Sequence, residues 1–90
     1  MFCDMQGRKN IPNNQDFSDE YLKKLGERIK SLRIKANYKS YEFFAYDHNF
    51  SRAQWGRYEN GQDLKFSSLI KVIKAFDMTL VEFFQEGFED

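Results

Sequence analysis

The sequence predicts an all-α domain of five helices, and three observations carry that expectation. Apolar residues recur at three- and four-residue intervals through most of the chain, and no stretch alternates as a strand would. Helix-capping residues stand just ahead of the apolar stretches, with Asn, Gly or Asp just behind them. One Pro and five Gly among 90 residues leave room for helices, while 41% hydrophobic residues, ten of them Phe, supply a core. Such a chain makes one small domain and is too apolar to stay disordered.

Taken in order, residues 1–17 are polar and aperiodic and read as a flexible arm, with Cys3 an incidental residue in it. Ser18 can cap helix one, Asp19 and Glu20 suit its first turn, and Phe17 and Leu22 have the spacing of a hydrophobic staple. Leu22, Leu25, Ile29, Leu32 and Ala36 form its apolar stripe, Lys and Arg fill much of the remainder, and Asn37 suits a left-handed stop, so helix one spans about 19–36. Ser40 can cap helix two, "YEFFAYDH", with Phe43, Phe44 and Ala45 inward. Asn49 accepts a left-handed backbone, Phe50 is apolar, and Ser51 with Gln54 makes a capping box, so helix three starts near 52. Two helices joined by so tight a turn match a helix-turn-helix. Trp55 and Tyr58 give helix three its inner face, and Asn60-Gly61 ends it. Phe66, Leu69, Ile70, Ile73 and Phe76 predict helix four, closed by Asp77; Thr79 with Glu82 opens a short helix five with Leu80, Phe83 and Phe84 inward. The folded domain is expected over 18–86, followed by an acidic tail at 87–90.

The formal net charge is zero, but residues 21–40 carry +6 while the last thirty carry −3. A local basic face, not the total, governs affinity for phosphate; the same run also fits a solvated helix face. One Cys excludes an internal disulfide framework and a cysteine-built zinc site. There is no apolar run long enough to span a membrane, and the first residues lack the apolar middle of a signal peptide, so a cytoplasmic protein is expected. A single His, a single Cys and the absence of a phosphate-cradling glycine loop leave no catalytic constellation, so neither an enzyme nor a cofactor is expected.

The segments "LGERIKSLR", "YEFFAYDHNFSRAQWGRYENG" and "LIKVIKAFDMTLVEFF", in that order, resemble the XRE family, the helix-turn-helix class of phage Cro and repressor proteins, over roughly residues 25–84. The Phe-rich helix two and "RYENGQDL" are similar to a subgroup common in Bacteroidetes. The resemblance implies a lambda-repressor-like five-helix fold in which helix three enters the major groove of DNA. It puts Arg52 and Ala53 at base-reading positions and Arg57 at one that reaches bases or phosphate. It puts Tyr41, in place of a frequent Gln, with Ser51, Gln54 and Asn60 at backbone-contacting positions. It implies a structural pair between Arg33 and Glu59, and it gives Trp55 a core position rather than one that stacks on bases. His48 stands where the family is usually aliphatic and reads as a hydrogen-bonded core histidine or a pH-sensitive packing element; Asn49 replaces the usual turn glycine; "NYKS" is one residue longer than the commonest link.

The expected function is therefore a sequence-specific transcriptional regulator, a repressor in the simplest case, acting as a homodimer on double-stranded DNA. Phe83, Phe84 and Phe88 form the candidate dimer surface, unless Phe83 and Phe84 only complete the core. The alternative is a protein-binding module of the same fold, such as an antitoxin that holds a toxin through its arm or tail.

Overall fold

A computed structural model describes residues 14–89, with side chains from residue 17 onward; Cys3 and most of the expected arm lie outside that range. The described chain is all-helical: α1 (Asn14–Lys35), α2 (Tyr41–Asp47), α3 (Arg52–Glu59), α4 (Phe66–Ala75) and α5 (Leu80–Phe84). α1 begins five residues before the expected start, so Ser18 lies within the helix and not at its cap. Phe17, offered as a staple, is half exposed. None of residues 14–16 is Gly or Pro, so the sequence holds no helix breaker ahead of Ser18 over that span.

The first four helices each stop where the sequence offers a residue tolerant of left-handed backbone. Asn37 (φ 76°), Asn49 (φ 62°) and Asp77 (φ 58°) all adopt it, as does Gly61 (φ 84°) after α3. Starts are capped as the residue types suggest. Ser40 Oγ accepts the Glu42 N–H, Ser51 Oγ accepts the Gln54 N–H, and Thr79 with Glu82 forms a reciprocal capping box. Ser51 makes only the forward half of its expected box: no return hydrogen bond runs from its N–H to the Gln54 side chain.

Ile29, Phe44, Ala45, Trp55, Val72, Ile73 and Phe83, drawn from all five helices, are buried almost completely. Phe44 is the hub: its ring centroid lies 4.0 Å from His48, 4.8 Å from Trp55, 4.9 Å from Phe76 and 5.0 Å from Tyr38. Phe43 does not join it and is 70% exposed, because a two-turn helix presents only the adjacent pair Phe44 and Ala45 to the core. Phe66 at the first turn of α4 and Ala36 beyond the end of α1 are likewise exposed, since the stripes to which they were assigned extend past the contact.

Arg33, the expected partner of Glu59, is buried, and so is Arg28, which the sequence left among the solvated Lys and Arg of α1. Arg28 donates from Nε to the Phe83 carbonyl at 2.8 Å and from Nη2 to the Glu82 carbonyl at 3.0 Å, satisfying acceptors at the open end of α5. Gly87 packs against the aliphatic part of Arg28, and Lys24 donates to the Glu89 carbonyl, so residues 87–89 lie along α1 and not as a separate tail. Gly26 sets the distance between α1 and the end of α3. A Cβ there would stand 2.7 Å from the Glu59 carbonyl oxygen and 2.9 Å from the Gly61 nitrogen.

Candidate nucleic-acid interface

α3 is anchored before it is presented. Phe50 N–H donates to the Ala45 carbonyl at 2.8 Å, closing the α2–α3 turn around Asn49, and the Phe50 ring meets Trp55 at 4.9 Å. Trp55 is fully buried and Tyr58 nearly so, which fixes the rotation of the helix. At about 100° per residue, that rotation puts Ala53 and Arg57 at the centre of the opposite face, one turn apart, with Arg52 and Gln54 at its flanks. Ser51, Arg52, Ala53, Gln54 and Arg57 are all exposed. Asn60 is exposed as well but caps the other end, roughly 13.5 Å along the axis from Ser51, so the two do not share a contact point.

Glu59, the carboxylate of α3 set against the two arginines, is withdrawn from the surface. Arg33 donates from Nε to Glu59 Oε2 at 2.7 Å and from Nη2 to Oε1 at 3.0 Å, and Trp55 Nε1–H donates to Oε2 at 2.8 Å. The side chains of both ionic partners are over nine-tenths buried. Arg33 Nη1 also donates to the Tyr38 and Lys39 carbonyls, which holds the "NYKS" link. The positions assigned to the structural pair are therefore brought together, and α3 shows two cations and no exposed carboxylate.

Tyr41, at the first turn of α2, lies across α3 at Gly56: a Cβ on that glycine would sit 3.2 Å from the Tyr41 hydroxyl oxygen. The side chain is 37% exposed. Gly56 was not singled out in the sequence, although a glycine inside a helix costs ~1 kcal/mol relative to Ala and so signals a close approach. His48, at the end of α2, stacks on Phe44 and places Nδ1 3.0 Å from the Phe44 carbonyl oxygen, which gives it the partner expected of a core histidine. Tyr38 O–H donates to Asp47 Oδ2 at 2.7 Å; accepting that bond, the carboxylate holds the Tyr38 phenol above its usual 10.0.

The candidate dimer surface divides. Phe83 is fully buried and is removed from it, since its ring completes the core under the Arg28 guanidinium, 5.6 Å away. Phe84, 39% exposed, and Phe88 line an apolar hollow of about 380 Å³ with Tyr21, Leu22 and Leu25. Among the described residues no helix is long and apolar enough to cross a membrane. No protein-family model, curated protein or solved structure matches the chain.

Proposed function

We propose that this chain is a sequence-specific DNA-binding regulator of XRE type, a repressor in the simplest case, which reads the major groove with α3. One observation supports this most: α3 is locked by Trp55, Tyr58 and the Arg33–Glu59 pair, and its free face offers Arg52, Ala53, Gln54 and Arg57 with no competing carboxylate. A rigid helix of this kind, preceded by a tight turn and a second helix, has the shape and charge that a major groove admits. Arginine can donate two hydrogen bonds to guanine O6 and N7, and Ala53 leaves room beside Arg57 for a thymine methyl. Tyr41 and Ser51 offer hydroxyls to phosphate.

A single domain contacts few base pairs, so two copies on half-sites about 34 Å apart are the natural arrangement. The hollow bordered by Phe84 and Phe88 is the surface we assign to that pairing. Fluorescence anisotropy with labelled random-sequence duplex tests the electrostatic part. Binding should weaken steeply between about 50 and about 200 mM salt; binding absent at the lower concentration would remove the reading.

One observation favours a second reading, a partner-binding module such as an antitoxin: Phe43 and Tyr46 stand 70% and 78% exposed on α2. Aromatic side chains are enriched at protein interfaces. A protein that works only in this way would bind no duplex at any salt concentration.

A further inference from the structure

Beside the free face of α3 lies an open groove of about 640 Å³, bounded by the α2–α3 turn and α4. Ser51 and Gln54 stand on one wall, and Ser68, Lys71 and Lys74 on the other. No Asp or Glu lines it. That is informative in a chain with 14 acidic residues against 14 Lys and Arg, because the hollow at Phe84 includes Asp63 and the one beside Phe43 includes Asp47.

Lys71 and Lys74 are three apart on α4, so their side chains rise from the same face on successive turns. Both are exposed. Lys71 makes no ion pair or hydrogen bond among the described residues, and the Lys74 ammonium has only a long contact, 3.4 Å to the Met78 carbonyl oxygen. Two amines without acidic partners, facing hydroxyl and amide donors across a groove open to solvent, are suited to a chain of phosphates.

Resting on the DNA reading of α3, we infer that α4 is a second DNA-contacting element: one strand of the duplex runs through this groove. Lys71 and Lys74 neutralise successive phosphates there while Ser51 and Gln54 hydrogen-bond the same strand from α3. The contact is independent of sequence. It holds the register of α3 and adds affinity without altering which bases are read. It also supplies cations that the two arginines of α3 do not, on an element whose basic residues the sequence pattern leaves unremarked.

The test uses the full chain with K71Q, K74Q and the double variant, beside wild type and R52A. Each lysine is exposed, so far-UV circular dichroism and the urea midpoint of the variants should match wild type, which confines the readout to binding. Affinities for a selected duplex and for a random duplex are measured across about 50 to 200 mM salt. The slope of log K against log salt should fall by ~0.9 for each lysine removed and by ~1.8 for the double variant. The loss should be equal on both duplexes, and selection with the double variant should return the wild-type motif, whereas R52A should alter it. If the double variant keeps the wild-type slope while wild type still selects a motif, α4 does not touch DNA and the inference fails alone. A changed motif in the double variant also overturns it, since the contact would then read bases. Absence of DNA binding by the wild-type protein ends both this inference and the reading on which it rests.

Discussion

Arg33 joins three segments at one point: its guanidinium holds Glu59 at the end of α3 and the carbonyls of Tyr38 and Lys39 in the link to α2. Removing one partner strands the other charge in a buried setting, so Arg33→Ala or Glu59→Ala should each destabilise the fold by about 3–5 kcal/mol. The double variant should lose much less than their sum, and a urea double-mutant cycle without coupling would contradict the network. Gly26→Ala should be costly as well, at or above the roughly 1–3 kcal/mol of ordinary overpacking, because the atoms it meets are backbone and cannot rotate away. At this scale the sequence was read unevenly. Arg33 was placed through family resemblance, but Arg28 was not placed at all. On a helix rich in Lys and Arg a buried arginine looks like its solvated neighbours, and what buries it is a pair of carbonyls from α5, far along the chain.

At the level of elements, the stops and caps were the most legible, since each is a local matter of one residue's backbone and one side-chain oxygen. Asn49 carries the α2–α3 turn at φ 62°. Asn49→Gly should leave stability nearly unchanged, while Asn49→Val should lose about 1–2 kcal/mol, read as a shift in the urea midpoint. The Tyr38–Asp47 bond ties the link to the end of α2. Its phenol is raised above 10.0, chiefly by hydrogen bonding to the carboxylate, then by desolvation and charge, so the protonated form is the one the fold favours. That contribution is complete below the unfolded phenol's value and is lost as pH rises through the folded one. The difference in phenolate absorbance between wild type and Tyr38→Phe should therefore titrate above 10.0; a midpoint at or below it would contradict the bond. The start of α1 was placed too late because Ser18 has the chemistry of a cap yet lies inside a longer helix, and Phe43 and Phe66 were misplaced for another reason. Periodicity marks a stripe but not how far the neighbouring helix reaches along it.

For the molecule as a whole, the order of elements and the core were legible, because all five helices contribute at least one fully buried residue of the expected kind. The surfaces were less so. Phe83 shifted from a dimer face to the core, the last residues became part of the packed domain, and the groove beside α4 had no mark in the sequence, being made by residues of three elements. With Phe84 at the rim of the remaining apolar hollow, Phe84→Lys should leave the core intact and shift the protein to monomer in sedimentation, weakening binding to a palindrome. A wild-type protein that is already monomeric at the highest concentration measured would remove that surface from consideration.

The most direct test of α3 as a groove reader is selection from randomised duplexes with the wild-type protein, Arg52→Ala and Arg57→Ala. If α3 reads bases, a palindromic motif emerges with wild type, and each variant relaxes particular positions at a loss of about 1–3 kcal/mol against the preferred base. Enrichment of no motif, or of the same motif at the same strength with both arginines removed in turn, would contradict it.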